Sequence, residues 1–224
     1  MRFGGSIDKI ALLGGTGKLG RGLALRWCSK RQVIIGSRFR PKAEAATEEV
    51  RQLVREKRYA DNIRGMLNRE AAKEADLVIF CVGLGPALRL ATRIRGALKD
   101  KLVLSPIVSM GHRGNLRTPK LNPPNSAAVK LAKALGQRSN VVSGLHTIPA
   151  FMLYSPDPLH DYSVVIYGEQ PAKGIVMRLV NEIDGLHSLD GGPLEMSFLS
   201  EYATPLLLNL KKLNESRVHS VRYY

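Results

Sequence analysis

Two short stretches of the chain carry residues whose types and spacing suit phosphate chemistry. The first, Gly15-Thr16-Gly17-Lys18-Leu19-Gly20, spaces three glycines as G-x-G-x-x-G. Alone that spacing is weak, but its setting strengthens it. The apolar run at 10–13 reads as a buried strand, and Leu19, Leu23 and Trp27 then recur at helical spacing. In such a strand–turn–helix Gly15 allows the tight turn, Gly17 the close approach of a pyrophosphate, and Gly20 the packing of helix against strand. The unpaired amides at the helix start, with the helix dipole behind them, face the phosphates. A glycine-rich turn without a ligand is the plainer reading, and the flanking elements argue against it. The Gly-Lys-Ser/Thr ending of an NTPase phosphate loop is missing.

The second stretch follows about 20 residues on, where a dinucleotide site for NAD places a carboxylate on the adenosine ribose. Here the chain reads Ile35-Gly36-Ser37-Arg38-Phe39-Arg40-Pro41-Lys42, a hydroxyl and three cations with no acid. A carboxylate would repel a 2′-phosphate. Ser37 can donate to that group, Arg38 can clasp it and stack on adenine, and Lys42 adds a further charge. A merely solvated basic turn is the alternative, and the distance from the glycine loop favours NADP. Elsewhere, His112, His160, His187 and His219 have no partners at metal-ligand spacing, so no metal site is expected. Cys28 and Cys81 form neither a Cys-x-x-Cys pair nor a disulfide framework. Their apolar neighbours mark them as buried fillers.

The elements that must position these groups alternate along the first 140 residues. Strands are predicted at 9–13, 32–36, 76–82, 101–108 and 140–145, with helices at 19–29, 42–57, 86–98 and 126–135. A short acidic, Ala-rich turn of helix precedes residue 76. Pro41 suits the start of the second helix. The segment 112–125 has no periodicity and reads as a long loop. Beyond it come a strand at 162–167, a helix at 172–182, a short strand at 186–189 and an apolar helix at 198–213 broken by Pro205. A polar, loosely held tail is expected from 214 to 224. Buried, non-alternating strands separated by helices indicate an α/β fold of Rossmann type, a doubly wound and mostly parallel sheet. We expect an NADP-binding Rossmann domain over 1–150 and a smaller C-terminal α/β extension over 151–224.

The 224 residues carry a formal charge of +15, unevenly placed. Residues 1–140 hold 28 Lys/Arg against 10 Asp/Glu, whereas 141–224 hold 6 against 9. The first half is therefore the one suited to anions. Nucleic acid is not the expected partner, because charge alone supports it: no stacking aromatics sit on a basic strand, and no helix-turn-helix pattern is present. The longest apolar run, 77–88, is too short to span a membrane. The N-terminal residues lack an apolar signal core, so a cytoplasmic location is expected.

Several segments, taken together, resemble one family. They are 11–20 (Ala-Leu-Leu-Gly-Gly-Thr-Gly-Lys-Leu-Gly), 22–26 (Gly-Leu-Ala-Leu-Arg), Gly36-Ser37-Arg38, 145–150 (Leu-His-Thr-Ile-Pro-Ala), 182–186 (Glu-Ile-Asp-Gly-Leu), 190–194 (Asp-Gly-Gly-Pro-Leu) and 204–209 (Thr-Pro-Leu-Leu-Leu-Asn). In that order they are similar to the NADP oxidoreductases that depend on coenzyme F-420 (F420 hereafter). The resemblance implies hydride exchange between NADP(H) and F420, an 8-hydroxy-5-deazaflavin with an anionic tail, by direct ring-to-ring transfer. It implies NADP contacts from Thr16, Gly17, Lys18, Leu19, Ser37, Arg38 and Lys42, with Val82, Gly83 and Ala150 near the nicotinamide. His146, Ile148 and Leu207 would hold the deazaflavin ring, with His146 as the group that orients it or steadies its charge. Residues 83–86 (Gly-Leu-Gly-Pro) lack the family's Pro-aromatic pair, and the tail after Asn214 also departs from it. The alternatives are an NADPH-dependent flavin (FMN or FAD) or ferric reductase and a non-catalytic NADP-sensing protein. The apolar helix at 198–213 is expected to pack into a homodimer interface or the acceptor pocket.

Overall fold

The computed structural model describes residues 6–136 and 140–214. Apart from Asn214, the predicted polar tail therefore lies outside the described residues. Strands β1 (Lys9–Leu13), β2 (Gln32–Ser37), β3 (Ile63–Leu67), β4 (Leu77–Phe80), β5 (Leu102–Ser105) and β8 (Val141–Ser143) form one sheet in the order β3-β2-β1-β4-β5-β8. Every pairing in it is parallel. This is the doubly wound order with its switch point between β1 and β4, where such sheets bind ligands at the carboxyl ends of their strands.

Helices cover both faces. Ile10 and Leu12 of β1 point to one buried cluster, which includes Leu23 and Trp27 of α1 (Lys18–Trp27), Val50 of α2 (Arg40–Leu53) and Val176 of α7 (Ala172–Asn181). Ala11 and Leu13 point to the other. It includes Ala71 of α3 (Asn68–Glu74), Ala87 and Ala91 of α4 (Leu84–Arg93) and Leu131 of α5 (Ala127–Leu135). Strand residues buried on both sides explain why the sequence shows apolar runs in place of alternation.

The C-terminal elements join the first of these clusters. A parallel ribbon of β9 (Tyr162–Ile166) and β10 (Leu186–Asp190) reaches the sheet edge through paired backbone bonds between Ser143 and Tyr167, both 2.8 Å. The indole of Trp27 donates to the Leu179 carbonyl at 3.0 Å and ties α1 to α7. Arg26 donates to the carbonyls of Met152, Leu153, Ser155 and Asp157, fixing the short helix α6 (Ala150–Leu153) and the turn after it.

The structure shortens the expected helix 86–98 to α4 with a 3-10 turn at Arg95–Ala97, and shortens the strand 101–108 to β5. It adds α6, which the sequence reading lacks, and departs from that reading in four further places. Strand β3, with Arg64 and Gly65 inside it, lacks the apolar run of its neighbours because it is the sheet's edge. Helix α2 begins at Arg40, with Pro41 inside its first turn, and ends at Leu53, after which Lys57–Asn62 forms a 3-10 turn. The presumed loop at 112–125 holds a hairpin, β6 (Met110–Arg113) and β7 (Leu116–Pro119), turning at Gly114 with φ +57. Half of its strand residues are exposed and apolar patterning is slight; its tertiary partners include Asn209, whose side-chain amide accepts from Arg117 N at 2.7 Å and donates to Arg117 O at 2.8 Å. Pro205 does not break the last helix: α8 runs unbroken from Phe198 to Leu213, pinned on both sides of the proline by Thr204 and Asn209. No helix among the described residues is long and apolar enough to cross a membrane.

Candidate dinucleotide site

The turn between β1 and α1 is built by close backbone packing. Gly15 N donates back to Leu12 O at 3.0 Å, and the left-handed residue of that turn is Gly14, with φ +68. The tight turn thus needs glycine at Gly14 as well as at Gly15, where a Cβ would lie 2.6 Å from Leu12 O. A Cβ on Gly14 would also lie 2.1 Å from Val82 Cγ1. Gly20 packs as the motif requires: a Cβ there would sit 2.3 Å from Gly15 Cα. Gly17 is different, since a Cβ on it would meet nothing within 4 Å. It caps the start of α1 and is exposed, so the space in front of the free helical amides is open. That opening is what a pyrophosphate cradle needs.

A cleft of about 560 Å³ begins at this turn and is lined by Gly14, Thr16, Ser37, Arg38, Lys42, Val82 and Gly83, among others. Six residues singled out from the sequence, Thr16, Ser37, Arg38, Lys42, Val82 and Gly83, thereby meet in one concavity at the β1–β4 switch point. Ser37 ends β2 and is 6 % exposed; its Oγ accepts from Phe39 N at 3.2 Å, which leaves the hydroxyl proton to donate to a ligand. The Arg38 guanidinium and Lys42 ammonium lie 5.9 and 5.7 Å from the centre of the Phe39 ring, an exposed aromatic in the cleft wall. Among the described residues, no carboxylate lines the cleft. A hydroxyl donor and cations in a cleft that begins beside an open helix start, with no acid among its described lining residues, fit a phosphorylated dinucleotide.

Sequence reasoning missed Phe39, Asn68, Pro86, Arg89, Leu90 and Arg93, which complete the walls. Asn68 opens α3, is buried, and accepts from Gly14 N through Oδ1 at 2.9 Å, so it holds the glycine turn from the far side. The G-x-G-x-x-G spacing gives no hint of it, because the contact spans 54 residues.

The residues implied for the second ring, and Ala150 implied for the nicotinamide, lie outside this cleft. His146, Ile148 and Ala150 follow β8, and Leu207 sits half-buried on α8; none of them lines the cleft. His146 is 7 % exposed, with Nε2 at 3.1 Å from Ser143 Oγ and Nδ1 without a hydrogen-bond partner. Burial lowers its pKa to about 4, so the ring is neutral near pH 7. Thr204 of α8 donates to the His146 carbonyl at 3.0 Å and fixes that loop. The two cysteines behave as fillers: burial pushes Cys28 up to about 11 and Cys81 up to about 12, away from the thiolate.

Fold and cleft together define a Rossmann-type dinucleotide-binding protein. The family model described as NADP oxidoreductase coenzyme F420-dependent matches residues 9–109. The F420-dependent NADP reductase of Methanocaldococcus jannaschii is 34% identical over 216 residues, covering 96% of this chain and 97% of that protein. Its namesake in Methanothermobacter marburgensis is 33% identical over 220 residues, with coverage of 96% and 97%. The chain belongs to the F420-dependent NADP reductase family. Among solved structures, one from Arthrobacter sp. FB24 (a proposed F420-dependent NADP reductase) superposes with a TM-score of 0.78 at 20% identity, over 98% of this chain and 100% of that one. A diketoreductase superposes at 0.65 with 17% identity, over 94% of this chain and 73% of its own. At those identities the likeness is one of fold.

Proposed function

We propose that this protein transfers a hydride between NADP(H) and coenzyme F420 by direct contact of the two rings. The observation that carries the reading is likeness to named F420-dependent NADP reductases over nearly the whole chain, joined to an acid-free cationic cleft at the switch point. When bound, the two coenzymes supply the redox chemistry; the chain's task is to hold them in register. Gly15, Thr16, Gly17, Lys18 and Leu19 receive the pyrophosphate. Ser37, Arg38 and Lys42 hold the 2′-phosphate, and Val82, Gly83 and Ala150 flank the nicotinamide. His146, Ile148 and Leu207 form the seat of the deazaflavin. Neutral His146, with its unpaired Nδ1, orients the acceptor ring by a hydrogen bond and needs no proton exchange with water.

The division at residue 150 is one of role: residues 1–150 hold NADP, and 151–224 complete the acceptor seat and the contacts between subunits. The exposed leucines of α8, among them Leu206 at 57 % and Leu213 at 66 %, form the face of a homodimer acting in the cytoplasm. Sedimentation at micromolar concentration tests the dimer, and a monomer would refute it. The activity is tested by following loss of reduced nicotinamide absorbance with F420, FMN, FAD and ferric chelates offered separately. F420-dependent turnover supports the reading, whereas turnover with flavin or iron alone, or none despite NADPH binding, overturns it.

A further inference from the structure

Of the four cations that line the cleft among the described residues, two, Arg38 and Lys42, belong to the wall formed by β2 and α2. Arg89 and Arg93 stand one turn apart on α4, on another wall of the same cleft, and therefore share a helix face. Arg89 folds back over the first turn of its own helix: a Cβ on Gly85 would lie 3.6 Å from Arg89 Nη1. Helical side chains lean toward the N-terminus in this way, and here the lean carries the guanidinium to the strand-end mouth of the cleft. Other arginines of this half are committed to carboxylates, Arg40 to Glu70 at 2.6 Å and Arg64 to Glu74 at 3.1 Å. Among the described residues, the side chains of Arg89 and Arg93 have no such partner and no acid shares their cleft.

Like charges converging on one concavity repel each other, and only an anion between them reverses the sign of that interaction. The open amides at Gly17 are, on the proposed reading, taken by the pyrophosphate. The anionic group left for the α4 wall is a phosphate monoester on the adenosine 2′-oxygen. We propose that Arg89, backed by Arg93, is a second jaw of the 2′-phosphate clamp, closing from α4 on a group that Ser37, Arg38 and Lys42 hold from β2 and α2. A planar guanidinium suits this task because two of its N–H groups meet two phosphate oxygens at once. The inference rests on reading the cleft as the NADP site and adds a specificity determinant that the β2–α2 sequence does not contain.

Equilibrium binding of two pairs of ligands separates the possibilities without any hydride acceptor. The pairs are NADP+ with NAD+, and adenosine 2′,5′-bisphosphate with 5′-AMP. Arg89→Ala, at an exposed position, is expected to weaken NADP+ and the bisphosphate about tenfold or more, ~1.4 kcal/mol. NAD+ and 5′-AMP should change less than about twofold. Arg89→Lys should recover part of the loss, because the charge returns without the two-pronged geometry. The NADP+ affinity of Arg89→Ala should also fall less steeply with salt than that of the wild type. Equal losses in both members of a pair would mean that Arg89 stacks on adenine, and no loss in either would mean that it faces solvent; each overturns the clamp. Wild-type protein that binds neither NADP+ nor the bisphosphate would overturn the site reading itself, a separate result. NADP+ binding by a protein that shows no turnover when F420 is offered would refute only the proposed acceptor and not the clamp.

Discussion

Replacing Gly17 and Gly20 by alanine, one at a time, separates two demands that the glycine turn places on the chain. Gly17 has φ −87 and ψ 176, which alanine adopts freely, and its Cβ would enter open space. The folded state loses only the difference between glycine and alanine as a helix cap, ~1 kcal/mol or less. That corresponds to a fall in Tm of roughly 2–4 °C for a chain of this size. The new methyl nevertheless stands in front of the helix amides, where a pyrophosphate oxygen must approach. NADP+ affinity should drop at least about tenfold, ~1.4 kcal/mol. Gly20→Ala inverts the pattern. Its Cβ would lie 2.3 Å from both Cα and O of Gly15, backbone atoms that cannot turn aside. Overpacking of this kind costs about 1–3 kcal/mol, or roughly 2–12 °C in Tm. Thermal unfolding and isothermal titration with NADP+ read both quantities on the same samples. Wild-type NADP+ affinity in Gly17→Ala would refute the cradle, and wild-type stability in Gly20→Ala would refute the packing argument.

Two further perturbations probe contacts that lie far apart in sequence. Asn68→Ala strips the buried acceptor from Gly14 N and should destabilise the fold by about 1–3 kcal/mol; urea unfolding measures it, and an unchanged midpoint would show that the turn holds itself. Glu201 on α8 is 2 % exposed and accepts from Ala127 N at 2.8 Å and Ala128 N at 3.3 Å, the first amides of α5. Burial raises its pKa to about 7 from the ordinary 4.5. The folded state therefore binds this proton more tightly, and the stability it contributes is present at low pH and is lost as pH rises from about 4.5 to about 7. Glu201→Gln should flatten that part of the stability–pH profile relative to the wild type, and identical profiles would refute the titration.

What the sequence by itself determined was local or patterned. The glycine spacing, the apolar strand before it and the Ser37–Arg38–Lys42 cluster lie within some 30 residues of one another, and each carries its chemistry in its own composition. The sheet was legible because strands buried on both faces read as apolar runs; β3 escaped because an edge strand tolerates Arg64 and Gly65. Hairpin β6–β7 escaped for a related reason, since its docking depends on Asn209 of α8, not on a core-facing stripe.

Tertiary structure alone decided what stands opposite each motif. It assigned the left-handed turn to Gly14, because Val82 presses there, and it brought Asn68 under that turn from 54 residues away. It also brought Arg89 and Arg93 of α4 into the same cleft as Arg38 and Lys42. Helical periodicity tells which residues share a face, but not what that face meets. The meeting is set by the parallel crossover that lays α4 beside the β1–β4 switch point, and no short stretch of sequence records it.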